Sequence, residues 1–150
     1  MVGDLRVGVI ATAGDRRDED MLALGRVAAK YFDDVIVRED QNPRGRERGE
    51  TARIVADGVR EAMLAGGARA GNIEIVTDEM DATRKALDRS RPGDLVVLCV
   101  DYATEVFQEL ERRRSLAAPA VMRADGNGQF EAAGGDPDLI QVVVENDVGL

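Results

Sequence analysis

The chain has 150 residues and a formal charge of −9, from 20 Lys and Arg against 29 Asp and Glu, and it contains no His and one Cys. This length suits one globular domain, residues 1–150, which can bury a core without disulfides or a structural metal. Without His, the chain cannot build a Cys/His zinc site, a Ser-His-Asp triad or a Cys-His dyad. Most familiar hydrolase mechanisms are therefore excluded.

Cysteine usage, hydropathy and charge limit the cellular compartment of the chain and the kinds of partner that it can bind. Cys99 alone cannot form an internal disulfide, and the first residues show no signal-peptide pattern. No apolar run approaches the ~20 residues of a membrane helix. An acidic chain with 3% aromatic residues does not suit a nucleic-acid groove. We therefore expect a cytoplasmic protein that binds neither membranes nor nucleic acids.

Apolar runs of strand length alternate with stretches of helical period, which is typical of βα units on a parallel sheet. The predicted strands are Leu5–Ala11, Val35–Val37, Ile73–Val76, Leu95–Val100 and Leu139–Val144. The turn signal Asp125-Gly126-Asn127-Gly128 predicts an antiparallel hairpin over residues 119–132. The predicted fold class is α/β: a three-layer Rossmann-like domain with a mostly parallel sheet of five to six strands, helices on both faces and this hairpin near the C-terminus.

Four helices are predicted between these strands. The first follows the acidic residues 18–20, and its spacing predicts a buried stripe of Met21, Leu24, Val27, Ala28 and Tyr31. The second runs from about Glu50 to the glycines 66–67, and the third begins at Asp78 and ends before Pro92. The fourth follows Asp101 and ends in the arginines 112–114. We attribute these arginines to helix-end electrostatics rather than to a binding patch.

The loops after the first two strands form the candidate site, since open α/β sheets bind ligands beyond the carboxyl ends of their strands. Loop 12–18 ends at a helix N-terminus, where free amides and two arginines could face an anion. Loop 38–46 opens the net-positive segment 38–60, whose six basic residues are all arginines. Neither the G-x-G-x-x-G nor the phosphate-loop motif is present in the first loop. From the residues alone, a solvated charged turn and a binding site remain equal alternatives.

The residues of both loops resemble a known family. Gly14-Asp15-Arg16 with Asp18, followed by Gly25 and Ala28, is similar to the G-D-R-D and G-x-x-A motifs in the C-terminal domain of the Mur ligase superfamily. Asn42-Pro43-Arg44 resembles the D-N-P-R loop of that domain, although Gln41 separates it from Asp40. The resemblance is specific over residues 7–65 and weak beyond Tyr102.

The second loop is most similar to the cyanophycin synthetases within this superfamily. Their E-D pair, R-G-R and G-E motifs match Glu39-Asp40, Arg44-Gly45-Arg46 and Gly49-Glu50 without a gap. The D-[YF]-[GA]-H-N-P segment at the start of the family's domain has no counterpart here. Asp101-Tyr102-Ala103 repeats only its first three letters and follows the fourth strand, so we attribute that match to chance.

The resemblance implies an ATP-dependent acid–amino acid ligase, whose C-terminal domain closes over a central ATP-binding domain and helps bind the incoming amino acid. The substrate-binding residues that it implies are Asp15, Arg16, Glu39, Asp40, Asn42, Arg44, Arg46 and Glu50. For cyanophycin synthetase the amino acid is arginine, so Glu39, Asp40 and Glu50 become candidate partners of a guanidinium. ATP and Mg²⁺ would be bound mainly by domains absent from this sequence, and no catalytic residue or metal ligand is assigned to it.

Three functions remain open at this stage. The first is a ligase domain that works with an ATP-binding domain in cis or in trans, in which case this chain alone should not turn over ATP. The second is a free-standing Rossmann-like module that binds a small molecule or a partner without ligase activity. The third is a structural role. Whether Met1 is the native start and whether the chain forms a homo-oligomer are also left open.

Overall fold

The residues that the structure describes form a sheet of six parallel strands. The computed structural model describes residues 5–114, 120–123 and 141–146. Its strands are β1 (Arg6–Ile10), β2 (Asp34–Val37), β3 (Asn72–Ile75), β4 (Leu95–Val100), β5 (Ala120–Arg123) and β6 (Gln141–Asn146). They are hydrogen-bonded in the order β3-β2-β1-β4-β6-β5, and all five pairings are parallel. The α/β class and the predicted five to six strands are confirmed.

The antiparallel hairpin predicted over residues 119–132 is not confirmed. Its first arm is a strand, β5, but this strand pairs with β6 in parallel, with Ala120 opposite Gln141. The turn signal at residues 125–128 and the expected second arm lie outside the described residues. One edge of β6 pairs with β4. Its other edge pairs with β5, which therefore extends the parallel sheet by one strand.

In the described ranges, four helices cover the two faces of the sheet: α1 (Asp18–Tyr31), α2 (Glu50–Ala65), α3 (Glu79–Arg89) and α4 (Ala103–Arg114). The core under α1 and α2 includes Val35 and Val37, whereas the core under α3 and α4 includes Ile36. Alternate strand residues therefore enter opposite cores, as the strand period of two requires. Within the described part of the chain, no helix is both long and apolar enough to cross a membrane.

Most helix boundaries agree with the prediction. The carboxylate of Asp78 caps α3 by accepting from the Asp81 amide at 2.9 Å, and α2 ends at Gly66, whose φ is 83°. The buried stripe predicted for α1 is partly wrong, since Val27 and Tyr31 are 52% and 56% exposed. Met21 and Ala28 of the predicted stripe are buried in the core under α1 and α2, and Leu24 packs against it.

The contact between α1 and α2 depends on two glycines. A Cβ on Gly25 would lie 2.1 Å from the carbonyl oxygen of Val55, and a Cβ on Gly58 would lie 2.2 Å from that of Leu22. Both neighbours are backbone atoms, which cannot move aside as the end of a side chain can. Gly25, which matches the family's G-x-x-A motif, is therefore a packing requirement of this helix pair.

We predict that Gly25→Ala and Gly58→Ala each lower the free energy of unfolding by about 2–3 kcal/mol, because overpacking forces the two backbones apart. This loss should occur although alanine favours an isolated helix by about 1 kcal/mol. Urea unfolding monitored by circular dichroism measures it. Gly71→Ala is the matched control, since nothing lies within 4 Å of its added Cβ. A Gly25→Ala variant as stable as the wild type would contradict the close approach.

Glu109 on α4 is a buried carboxylate surrounded by arginines. It accepts hydrogen bonds from Arg112 at 2.7 and 3.1 Å and from Arg113 at 3.0 Å, with Arg84 at 3.8 Å. The hydrogen bonds of Arg112 contribute most to holding the pKa of Glu109 at about 2, against desolvation that raises it. The arginines predicted to suit the helix end therefore also neutralise this side chain.

The depressed pKa of Glu109 predicts a pH-dependent contribution to stability. The contribution is present above the ordinary pKa of 4.5 and is lost as pH falls toward about 2, where the folded-state carboxylate takes up its proton. Glu109→Gln removes the charge that these arginines stabilise and should lower the free energy of unfolding at pH 7 by about 1–2 kcal/mol. The loss is no larger because solvent screens the exposed arginines. Urea unfolding from pH 7 to pH 2 measures the decline. Exposed Glu105→Gln should cost under about 0.5 kcal/mol, and a pH-independent difference at Glu109 would contradict the assignment.

Candidate functional site

A cleft lies at the carboxyl ends of β1, β2 and β4. From β1 the sheet is extended by β2 and β3 on one side and by β4 on the other, so the cleft occupies the switch point where open α/β sheets bind ligands. Its volume is about 700 Å³. Five of the eight predicted site residues line it, namely Asp15, Arg16, Asp40, Asn42 and Arg44, together with Asp101 and Tyr102 after β4.

The two predicted loops meet at the mouth of this cleft. Nη1 of Arg44 donates to Oδ2 of Asp15 at 2.8 Å, and this hydrogen bond lowers the pKa of Asp15. Arg44 has a left-handed φ of 51°, and its amide donates to the side-chain oxygen of Asn42 at 3.0 Å. The loops also touch at Gly14, where a Cβ would lie 2.1 Å from the carbonyl oxygen of Pro43. Asn42 therefore shapes the turn from which Arg44 reaches the first loop.

Arg16 lies at the same mouth, and no described carboxylate forms an ion pair with its guanidinium. Its backbone is fixed by two hydrogen bonds, one to the Ala13 carbonyl and one from Arg46. No carboxylate lies within ion-pair distance of its guanidinium among the residues that the structure describes, whereas that of Arg44 is paired. An anionic group entering the cleft would therefore meet Arg16 as the arginine without an internal partner.

Arg46 and Glu50 do not line the cleft but hold its loops together. The guanidinium of Arg46, whose side chain is 18% exposed, forms four short contacts: Gly14 O at 2.7 Å, Arg16 O at 3.0 Å, Asp18 at 2.6 Å and Glu50 at 3.1 Å. Since the first three acceptors belong to the loop after β1 and the start of α1, Arg46 fastens one loop to the other.

Glu39 faces the start of α2 rather than the cleft. Its buried carboxylate accepts from the amides of Gly49 at 2.7 Å and Ala52 at 3.0 Å, which are among the free donors at a helix N-terminus. Arg48 lies 3.5 Å away. The carboxylates of Glu39 and Glu50 thus have internal partners, and among the three predicted guanidinium partners only Asp40 lines the cleft.

Behind the floor of the cleft lies a buried guanidinium that the sequence analysis did not single out. Arg38 follows β2, is 1% exposed and extends across the end of β1 to the carbonyl oxygen of Cys99 on β4, at 2.8 and 3.1 Å. Its Nη1 donates to Asp40 at 3.0 Å and to Asp101 at 3.3 Å. Glu79, at the start of α3, lies 3.4 Å from Nη2.

Asp40 and Asp101 form a pair of neighbouring carboxylates on this floor. Burial and then the charge of Asp101 raise the pKa of Asp40, whereas Arg38 opposes the rise. Asp101 was predicted only as the residue before α4. The sequence nevertheless contained a signal for Asp101, because it directly follows an apolar strand. Ligands bind beyond the carboxyl ends of parallel strands, and this rule had already selected the loops after β1 and β2.

We predict that removing Arg46 separates the two loops while the sheet stays folded. Arg46→Met should accelerate amide hydrogen exchange in residues 12–17 and 42–48 at least about tenfold, since charge-assisted hydrogen bonds hold these loops. Arg46→Lys keeps the charge but loses the fork and should give a smaller acceleration. NMR exchange measures both. Arg53→Met on the exposed side of α2 is the control, and unchanged exchange in Arg46→Met would refute the fastening role.

Comparison with known proteins agrees with the family that the loops resemble. No family model matches the chain. The cyanophycin synthetases of Crocosphaera subtropica and Synechocystis are 39% and 37% identical to it over 111 residues, and each match covers 74% of this chain. The UDP-N-acetylmuramoyl-L-alanyl-D-glutamate–2,6-diaminopimelate ligase of Aquifex aeolicus is 29% identical over 105 residues, which is 70% of this chain.

The matched segment is a small part of each relative. It spans 12% of the two cyanophycin synthetases and 20% of the diaminopimelate ligase. The chain is therefore homologous to one segment of cyanophycin synthetase and, more distantly, of Mur ligase, consistent with the C-terminal domain that its sequence resembles.

Proposed function

We propose that this chain is the amino-acid-binding domain of an ATP-dependent acid–amino acid ligase of the cyanophycin synthetase kind. The observation that supports this is the convergence of the family-like loop residues on one cleft: Asp15 and Arg16 after β1, and Asn42 and Arg44 after β2. The cleft carries both signs of charge. A zwitterionic amino acid with a charged side chain needs such partners for its carboxylate and for its cationic groups.

Within the cleft we assign the cationic side chain of the substrate to Asp40. This carboxylate lines the cleft although it is also bonded to Arg38 from behind, whereas Glu39 and Glu50 do not line the cleft and are engaged with α2 and Arg46. A guanidinium is the natural partner, because its planar fork matches a carboxylate. Arg16 is the proposed partner of the substrate's carboxylate. Glu39, Arg46 and Glu50 then support the loops that present these groups.

The cleft's own residues fit the triphosphate of ATP poorly. Arg44 is paired with Asp15, and the carboxylates of Asp40 and Asp101 on the floor would repel phosphates. We therefore assign ATP and Mg²⁺ to the central domain of the complete enzyme, where ATP activates the acid that the amino group attacks. This chain binds and orients the amino acid and, when it closes over that domain, excludes water. A cytoplasmic location belongs to the same proposal.

Amino-acid binding is tested by isothermal titration calorimetry of the 150-residue chain with L-arginine. L-citrulline, which has the same shape but a neutral ureido group, is the matched ligand. We expect arginine to bind at least about tenfold more tightly than citrulline, because a charge-assisted pair contributes about 1.5–3 kcal/mol. Asp40→Asn should abolish the preference. Asp57→Asn, on the exposed side of α2, should keep it, and equal affinities in the wild type would contradict the assignment of Asp40.

The ligase part of the proposal needs a second experiment. A cyanophycin synthetase truncated of the segment that matches this chain is mixed with, or fused to, this chain, and ATP-dependent incorporation of labelled arginine is measured. We expect no ATP hydrolysis by the chain alone, restored incorporation by the combination, and at least about a tenfold loss with Asp40→Asn. Arginine binding without restored incorporation in either form would instead favour the free-standing binding module.

A further inference from the structure

Arg38 lies beneath the cleft and contacts the side chains that form its floor. It does not line the cleft itself, yet its Nη1 contacts Asp40 and Asp101, two carboxylates that do. Its Nε and Nη2 are fixed on the carbonyl oxygen of Cys99, and Glu79 approaches Nη2. The guanidinium is thus held on one side by β4 and α3 and offers its remaining edge to the two carboxylates.

We propose that Arg38 is a positioning residue of this site, whose buried guanidinium fixes Asp40 and Asp101 together at the floor of the cleft. The proposal rests on the proposed function, because Asp40 is the residue assigned there to the substrate's cationic side chain. It adds Asp101 as the second member of the pair. Neither Arg38 nor Asp101 was among the residues that the family resemblance implied.

Geometry and charge both require this arginine. Two carboxylates that approach the same nitrogen within 3.0 and 3.3 Å repel each other, and without an intervening cation one of them retains a proton. A guanidinium stays charged at every relevant pH and donates five hydrogen bonds from one plane. It therefore bridges β2 to β4 by bonding the Cys99 carbonyl through Nε and Nη2 while Nη1 reaches both carboxylates. An ammonium has three donors on a single nitrogen and cannot be held on the Cys99 carbonyl by two other nitrogens.

Glu79 is the third carboxylate beside the Arg38 guanidinium, and it is also buried. Its carboxylate is 5% exposed and accepts from the amides of Asp101 at 2.6 Å and Tyr102 at 2.9 Å. Because Glu79 lies at the start of α3, it sets the backbone of the loop after β4 from which Asp101 extends. Three carboxylates around one guanidinium leave two negative charges in excess, so the floor attracts a cation when the pair is ionised.

The test begins with the ligand-free chain and a carbon-13 NMR titration of its aspartate carboxyl groups. Arg38→Met should raise the apparent pKa of the Asp40–Asp101 pair by about 2 units or more, because the bridging charge is gone. Arg38→Lys should raise it by less, and it also serves if Arg38→Met does not fold. Arg89→Met, which removes an arginine from the ion pairs with Asp34 and Glu74, is the matched control and should not shift the pair.

The remaining charged groups around the pair must be monitored in the same titration. They are Glu39, Arg48, Asp78 and Glu79 behind the floor, and Asp15, Arg16 and Arg44 across the cleft. The carboxyl groups among them should keep their wild-type titration in Arg38→Met. A shift shared equally by all of them would indicate loss of the local fold and would overturn a specific positioning role.

Arginine affinity as a function of pH supplies the second readout. In Arg38→Met the pH below which affinity falls should lie about two units higher than in the wild type, because the retained proton competes with the ligand. Arg38→Lys should bind at least about fivefold more weakly at every pH, since an ammonium lacks the two further nitrogens that fix the guanidinium on the Cys99 carbonyl and so orient Nη1 toward both carboxylates. Arg38→Lys with wild-type affinity and titration would overturn the proposal.

The two proposals fail in different ways. If the wild type does not distinguish L-arginine from L-citrulline, the proposed function fails, and the ligand-free titration still decides whether Arg38 fixes the pair. If arginine binds as proposed but Arg38→Met is folded and leaves both the titration and the pH profile unchanged, the positioning role is wrong while the proposed function stands. The positioning role is supported if Arg38→Met shifts both the carboxyl titration and the pH profile of arginine affinity, and Arg89→Met shifts neither.

Discussion

A permanently charged guanidinium buried beside the central strand is the constraint on which the site depends. Arg38 is 1% exposed, and a charge removed from water is tolerated only when it is paired and hydrogen-bonded. Its partners come from three places in the chain: the loop after β2, the end of β4 and the start of α3. Satisfying this one group therefore determines how the carboxyl ends of these elements lie relative to one another, and the cleft opens directly above them.

Five of the six arginines in segment 38–60 pair with carboxylates of the same domain. Although this segment carries a net positive charge, Arg38, Arg44, Arg46 and Arg48 all contact such carboxylates. Guanidinium groups suit this role because each can bridge several acceptors at fixed angles. The cleft that results has an acidic floor and, at its mouth, Arg16 with no internal carboxylate partner in the described part of the chain.

Close packing on the other face complements this electrostatic arrangement. The glycines of α1 and α2 bring the two helices into backbone contact, and each helix begins where a site loop ends. Arg46 then joins these loops to each other. The mouth of the cleft is thus fixed by the same helix pair that covers the sheet, which explains why a packing glycine and charged loop residues occur together in the family-like motif.

Much of the architecture follows from local sequence. The apolar runs located five of the six described strands to within a residue or two, all except β5. Asp78 and Gly66 marked helix ends, and the rule for parallel sheets selected the loops that carry Asp15 and Arg44. These features depend on short-range chemistry: the period of a strand, a side chain that caps its own helix, and a glycine that accepts a positive φ. The family-like residues of the loops also came from the sequence alone.

Only the tertiary structure decided which of those residues share a cleft. Glu39 and Asp40 are adjacent in sequence, yet one caps α2 and the other faces the cleft, because successive residues of an extended chain point in opposite directions. Asp101 is 61 residues from Asp40 along the chain and meets it only because β4 lies beside β1 and Arg38 extends across that strand. The parallel pairing of β5 with β6 is of the same kind. Contacts between distant segments depend on the order of strands in the sheet, which no local pattern in this chain encodes.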